Sequence, residues 1–575
     1  MKINSKNIFV KNIGFYWIMV FLIPLVWMPI ILNGVGVFDW DHVLQRYAAI
    51  YQSYHYYDQF PGNNIWAGGG LPLFQTYSGY GLFSILTLIF EPSVGIYLGL
   101  VLYYILGYFG SIRLASFFTN NESEQVFFAL YVVFGSALAY HMTVGHIIFA
   151  NILSLPYLLY LALNYRDRFS GIKSGLLFGI VNLDGFVYTN QYIALILILF
   201  IAWRLIVDIK SPYNIFYYAL FLALGFLSVS AFKIISILPL WVDYPREVSG
   251  ITNYSWYDWL RFSFWPRTEL SNSNVGSVVC NGKWENANYL GLSALILLIH
   301  ASFKKSILII PVFLILIFSY SNDQNWYSFN YYLKEIPSFS SHLCTTRIRL
   351  LSPIVFGLAM LIIYKDEQII TIFRKKISKL AFMLFLVTEV FVVSFLTLLN
   401  SHSYNLDEEI TVRSDEFKSY NKPPLSSNSL YSSTMSNIGI YSETESYISY
   451  SPNNEYLIHD VLSREHEFMQ DDKEIKPIYW SPNKIIFHTN DLKNCISTKI
   501  RVSNLWSVNN EYIYHDKKVY EPWELICAFP DQNGRVVLNY RSTVSFWGLI
   551  INLTIISITS ILILRVWRLK KIETI

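Results

Sequence analysis

The stretch GVGVFDWDHVLQRYAAIYQSYHYYDQFPGNNIWAGGGLPLFQTYSGY, Gly34 to Tyr80, decides how the chain is read. It begins where the first membrane-length apolar run ends. Two acids stand two apart, Asp39 and Asp41. Val43, Leu44, Tyr47, Ala48, Ile50, Tyr51 and Tyr54 then recur at helical spacing, and a loop rich in Gly, Pro and Trp follows. The pattern predicts an amphipathic helix along a membrane surface, its acids just outside the bilayer, where chemistry on a lipid-borne substrate would take place.

The totals agree with a membrane setting. In 575 residues, 53% are hydrophobic and 14% charged, and the mean hydropathy is +0.36. This composition belongs to a polytopic membrane protein and excludes an ordinary soluble globule. A net charge of +3, with basic runs only at membrane flanks, excludes nucleic acid as a partner. Aromatics reach 17%, including 43 Tyr and 16 Trp, enough for wide interfacial belts and for a cleft that stacks sugars or faces lipid.

Runs of roughly 17 to 25 apolar residues read as spans: 15–33, 92–118, 126–141, 147–163, 174–189, 191–207, 213–240, 289–303, 306–320, 348–364, 381–399 and 545–564. Several are short or tightly paired, and the total is about twelve. Lys2, Lys6 and Lys11 precede the first. Later basic clusters are Arg166/Arg168/Lys173, Lys304/Lys305, Arg374/Lys375/Lys376/Lys379 and Arg565/Arg568/Lys570/Lys571. Alternating spans put all of these on one side, so both termini are expected in the cytoplasm. The acidic link 119–125, TNNESEQ, is an exception to that pattern. Segments 34–80, 241–288, 321–347 and 400–544 then face outside.

This gives three regions: a multi-span part over 1–399, an outer module over 400–544, and a last helix with a basic tail over 545–575. Alternating segments Glu474–Trp480, Lys484–Thr489, Ser497–Val502, Glu511–His515, Lys518–Tyr520, Glu524–Phe529 and Arg535–Tyr540 predict strands, with tight turns at HDKK (515–518) and QNG (532–534). A small β-sandwich or jelly-roll-like module outside the membrane is expected. Cys280, Cys344, Cys495 and Cys527 all fall on the outer side, which suggests disulfides Cys280–Cys344 and Cys495–Cys527; the spacing fits no zinc pattern.

Asp39 and Asp41 lead the candidates for chemistry. A carboxylate at the membrane edge can take the proton of an attacking hydroxyl, or hold a divalent metal such as Mg or Mn against a phosphate. A helix cap at Asp39 with Asp41 in the first turn explains both acids without chemistry. Arg46 can neutralise a lipid phosphate or simply snorkel. His42 and His55 share this segment; His141 and His146 lie on a short link between spans, and each can be interfacial only. Trp284, Glu285 and Asn286, in WENANY, can grip sugar hydroxyls or cap a helix. Arg347 and Arg349 open a later span, where cations are disfavoured unless an anion is near. Within spans, Asp184, Lys233 and Glu389 are ionisable and suspect by default.

The layout resembles the GT-C superfamily of membrane glycosyltransferases, and within it the bacterial YfhO-type proteins. The likeness is carried by FDWDHVLQRY with its acid–Gln45 spacing, by PGNNIWAGGGLPLFQTYSGYGLFS with Trp66, by ANYLGLSALILL and IPSFSSHLCTTRIRLLSPIVFGLAML, and by the closing β segment that runs into the last span. The resemblance implies transfer of a sugar from a polyprenyl phosphate to an extracytoplasmic acceptor, with a first-loop Asp as base and inversion at the anomeric carbon. It departs from the family in offering two acids before Gln45, and in showing LWSVNN where the family has Pro-Gly-Trp.

The expected partners are membrane lipids, a lipid-linked sugar donor and a glycan or lipid acceptor. The donor phosphate would be held by Arg46, Arg347 or Arg349. Gln45, His42, Trp66, His146, Trp284, Glu285 and Asn286 would contact substrate. The expected place is the bacterial cytoplasmic membrane, with the active site facing outside. Two rivals stand beside this reading: a transporter or flippase of lipid-linked sugars, which would need broken helices at mid-membrane, and a non-catalytic assembly factor that carries a sugar-binding module.

Overall fold

A computed structural model describes residues 41–59, 63–64, 66, 71–72, 80–142, 146–185, 189–207, 212–243, 264, 289–296, 350–365, 376–399, 417–420, 434–436, 438–440, 466–501, 506–512, 525–540 and 543–573. The chain divides into two compact units. The first takes Met1–Asp39, Tyr97–Phe226 and Glu247–Asn405; the second takes Trp40–Ile96, Leu227–Arg246 and Leu406–Ile575.

The first unit is helical. Its described elements are most of α3 (Pro92–Ala115), α4 (Glu122–Val133), α5 (Ser136–Met142), a 3-10 segment (Ile147–Ser154), α6 (Leu155–Leu163), α7 (Arg168–Gly185), α8 (Asn190–Val207), the first half of α9 (Pro212–Asp243), α10 (Ser352–Lys365) and α11 (Lys376–Leu399). Among the described residues, five helical stretches are long and apolar enough to cross a membrane: Pro92–Ala115, Glu122–Met142, Asn190–Val207, Pro212–Ser236 and Ala381–Leu399. Their outward faces are greasy, with Ile198, Leu199 and Ile206 all exposed on α8, as a lipid-facing helix requires.

Lipid tails are as apolar as leucine, so these helices gain by close packing more than by burial. The crossing of α7 and α9 shows it. A Cβ added to Gly175 would lie 2.3 Å from the Leu222 carbonyl oxygen, and one on Gly225 would lie 2.8 Å from that of Ile172. The acidic link before α4 also has a local cause. Asn121 caps the helix, accepting from the Ser123 amide at 3.1 Å, and Glu122 and Glu124 occupy the first turn, where the helix dipole favours acids. TNNESEQ is thus a helix start, and its charge follows from that.

The second unit joins the first-loop helix α1 (Asp41–Tyr57), the β1–β2 pair (Asn63–Asn64, Leu71–Pro72) and α2 (Leu82–Ile89) to the second half of α9, the β module and α12 (Thr543–Glu573). The module's short strands are β3 (Lys418–Tyr420), β4 (Ile438–Ile440), β5 (Phe468–Gln470), β6 (Lys473–Glu474), β7 (Tyr479–Ser481), β8 (Lys484–His488), β9 (Ile496–Arg501), β10 (Trp506–Val508), β11 (Glu511–Tyr512), β12 (Leu525–Ala528) and β13 (Arg535–Tyr540).

Two antiparallel sheets form, in the orders β11-β10-β13-β8-β7 and β12-β9-β5-β6; β3 and β4 pair separately and in parallel. Alternation in β13 turns Val536 and Leu538 inward, opposite Phe487 and Ile485 of β8. Those four side chains join Phe468, Ile496, Ile500, Trp506 and Ile526 in one buried cluster fed by both sheets. Cys495 and Cys527 are disulfide-bonded, their Cα atoms 5.5 Å apart, beside the β9–β12 ladder. Cys280 and Cys344 lie outside the described residues, as does HDKK (515–518).

QNG forms a tight turn. Asp531 Oδ1 accepts from the amides of Asn533 (2.9 Å) and Arg535 (2.8 Å), and Gly534 sits at φ +71 with no room for a Cβ beside the Thr489 carbonyl. The turn passes from one sheet to the other, since β12 pairs with β9 and β13 with β8 and β10.

Candidate functional site

Asp41 is the first residue of α1. Asp39 lies outside the described residues, and so do Arg347, Arg349, Trp284, Glu285 and Asn286; Asp41 and His42 are described in backbone only.

The turns that follow are enclosed. Leu44, Gln45, Arg46, Tyr47, Ala48, Ala49, Ile50, Gln52 and Ser53 are all buried, and only the last turn emerges, with Tyr54 and Tyr56 about half exposed. A helix lying on a membrane would leave one face open over its whole length; this one is built into the second unit. Its polar side chains bond within that unit. Gln45 Nε2 donates to Thr434 Oγ1 at 3.0 Å and Gln52 Nε2 to the Met435 carbonyl at 3.1 Å. Just past the helix end, Gln59 Nε2 donates to Ser481 Oγ at 2.7 Å, and Gln59 Oε1 accepts from the Asn483 amide at 3.2 Å.

Two first-loop residues enter the module's own core. Ala49 and Trp66 are fully buried members of the cluster to which both sheets contribute, and Trp66 stands 6.2 Å from the Tyr57 ring, which packs edge-on to Trp480. At the exposed end of α1, His55 Nε2 donates to the Leu88 carbonyl at 2.9 Å. Burial, with the nearby Tyr56 and Glu91, pushes the Tyr51 phenol up. Thus α1 carries Asp41 at the head of a rod pinned at residues 45, 52 and 59.

A separate polar layer lies inside the helical unit, among residues of α3, α5, α7, α8 and the 3-10 segment. His141 and His146 are buried and meet Nδ1 to Nδ1 at 2.8 Å, so one ring donates and the other accepts. Phe149 packs on both. Five residues on from His146, Asn151 accepts from Thr189 Oγ1 and donates to Asn190 Oδ1 at 3.2 Å, while Asn190 Nδ2 reaches the Val181 carbonyl at 3.3 Å. Tyr103 OH donates to Asp184 Oδ2 at 2.6 Å, with Asp184 fully buried.

Sequence reading singled out His141, His146 and Asp184. It missed Thr189 and Asn190, whose cue was the polar cluster NLDGFVYTNQ (182–191), and Asn151 and Tyr103, which carried none. Glu389 is engaged differently: its carboxylate accepts the backbone amides of Leu292 (2.9 Å) and Ser293 (3.4 Å) and so caps a helix. Among the described residues no group of three His, Cys, Asp or Glu could hold a metal ion.

No protein-family model matches the chain, and comparison with curated proteins finds no similar one. Among solved structures, the arabinofuranosyltransferase AftD from Mycobacteria is similar over 68% of this chain and 27% of its own, at 12% identity and a TM-score of 0.41. A structure of a variant of that enzyme is similar at 11% identity and a TM-score of 0.40, covering 69% of this chain and 28% of its own. The chain thus spans about a quarter of the length of these structures, and its function is argued from its own residues.

Proposed function

We propose that the chain is a membrane glycosyltransferase of the GT-C kind, taking a sugar from a polyprenyl-phosphate donor to an acceptor outside the membrane. The observation that supports this most is the fixed placement of α1: a helix that begins at Asp41 and is held by Gln45, Gln52 and, just past its end, Gln59 against a β module. Asp39 or Asp41 takes the proton of the acceptor hydroxyl as it attacks the anomeric carbon, and the lipid phosphate leaves from the opposite face. A rigid mount for the base matters because proton transfer needs hydrogen-bond reach at the moment of attack. The two-sheet module, read as a β-sandwich, offers the acceptor a surface. A divalent metal at the acids would serve the departing phosphate.

The test is an Asp39→Asn/Asp41→Asn double variant, with mass analysis of cell-surface polymers. The expected result is the same missing sugar as in cells lacking the protein, with the variant still folded in the membrane. A normal polymer in that variant overturns the reading.

Movement of a lipid-linked sugar across the bilayer is a second reading, favoured by one observation: within the helical unit the 3-10 segment Ile147–Ser154 runs into α6, and Asp184 is buried against Tyr103. It predicts that Asp184→Asn, and not the first-loop pair, stops sugar from appearing outside.

A further inference from the structure

Between the first loop and α3 stands a short helix whose polarity is reversed. α2 (Leu82–Ile89) is eight residues long. Ile85 and Ile89, one turn apart on one face, are 52% and 66% exposed, whereas Ser84 and Thr87 are 2% and 0% exposed. A helix facing water turns hydroxyls outward and isoleucines inward. Here the hydroxyls are provided for inside. Ser84 Oγ accepts from the Tyr80 amide at 2.7 Å, and Thr87 Oγ1 donates to the Ser84 carbonyl at 2.9 Å.

The inward face of α2 is covered by protein. Phe83 is buried and stands 5.8 Å from the Tyr47 ring of α1. A Cβ on Gly95 would lie 2.7 Å from the Thr87 backbone, so α2 is folded back on the start of α3. The outward face continues past the helix end, where Phe90 and Val94 are also exposed. From Pro92 the chain is long and apolar enough to cross a membrane. α2 itself is not: at 1.5 Å per residue it is about 12 Å long, against a hydrocarbon layer of roughly 30 Å.

The exposed last turn of α1 lies beside it. His55 holds the Leu88 carbonyl, and Tyr51 packs on the His55 ring at 4.3 Å. Tyr54 and Tyr56 are half exposed, and Glu91 is exposed where α2 turns into α3. Phenol rings and a charge at the rim of an apolar patch are the composition of a membrane–water boundary.

We propose that α2 is seated in the bilayer without crossing it. Ile85, Ile89 and Phe90 lie among the acyl chains of the leaflet at which α3 begins, and Tyr54, Tyr56 and Glu91 lie at headgroup level. Lipid is the occupant because the reversed face runs directly into a stretch that lipid already surrounds, and because every polar group on α2 is turned away from it. This seat does not depend on whether the chain transfers sugar.

The experiment places the full chain in phosphatidylcholine vesicles with a nitroxide on one introduced cysteine, each variant read against the natural chain carried through the same labelling. Electron paramagnetic resonance compares relaxation of the label by oxygen, which concentrates among acyl chains, with relaxation by a water-soluble nickel chelate. Oxygen should dominate at Ile85→Cys and Ile89→Cys. The chelate should dominate at Asp472→Cys, an exposed position between β5 and β6, with Tyr56→Cys between the two extremes. The positions 85 and 89 are read independently, and either decides alone if the other variant does not fold. Dominance of the chelate there puts the face in water and overturns the seat. Protection from both reagents means that protein covers it, a second copy included, and overturns it equally.

Discussion

The phenol of Tyr289 donates to the carboxylate of Glu389, one hundred residues away on α11, and the same carboxylate receives the Ser293 hydroxyl. With the Leu292 and Ser293 amides also pointing at it, Glu389 is a cap supplied from another helix. An acid inside a span is therefore explained without chemistry.

Removing that cap should destabilise the helical unit. Glu389→Ala leaves several buried donors unsatisfied and should cost roughly 1–3 kcal/mol, with Glu389→Gln milder because its carbonyl still accepts. Thermal melting in detergent reads this. The proposed sugar transfer, measured per folded molecule, should be unchanged, and a selective loss of it would argue against a structural role.

Trp66 is the first loop's anchor in the module, so Trp66→Ala should cost about 3–5 kcal/mol. The effect should appear far away in sequence, as faster hydrogen exchange in β8 (Lys484–His488) and β13 (Arg535–Tyr540). Exchange that quickens only around residue 66 would contradict a shared core.

The Cys495–Cys527 bond closes a separation of 32 residues. Cys495→Ser should therefore lower module stability by about 3–4 kcal/mol, and reductant should do the same to the natural chain but not to the variant. Melting with and without reductant checks it.

Asp491 is held below the usual carboxylate range by the Lys493 amide, aided by the Asn494 side chain and amide. A depressed folded-state value means that this group's contribution is complete above the ordinary value near 3.8 and is lost as pH falls through the lower one. Asp491→Asn should therefore flatten the acid limb of module stability and leave it unchanged in slope near neutral pH. Melting curves from pH 5 to pH 2 test the sign.

Much of this architecture could be read locally. Span-length apolar runs mark α3, α8, α9 and α11, and period-two alternation marks β8, β9, β12 and β13 almost to the residue, because both signals are complete within a dozen positions. What escaped is what distant residues decide. The apolar positions of α1 read as one greasy face, yet Gln45 and Gln52 also turn inward, since residues 434–435 supply their partners. The run 147–163 reads as a single span, but its first half is a 3-10 segment in which Asn151 is engaged by Thr189 and Asn190. Lys233 and Glu389 look alike in sequence, and only their neighbours separate an ammonium over an aromatic ring from a carboxylate on a helix end.

Gln45 and its partner Thr434 are 389 positions apart. At roughly 5–20 residues per second of synthesis, α1 must wait on the order of 20–80 s for the chain that will enclose it. Throughout that interval its tyrosines and Trp66 have no finished interior to enter, so nascent protein needs a holding partner or the bilayer itself as a temporary shelter. For the same reason, segment 400–544 produced alone would lack part of its own interior and should aggregate unless residues 41–72 are supplied with it.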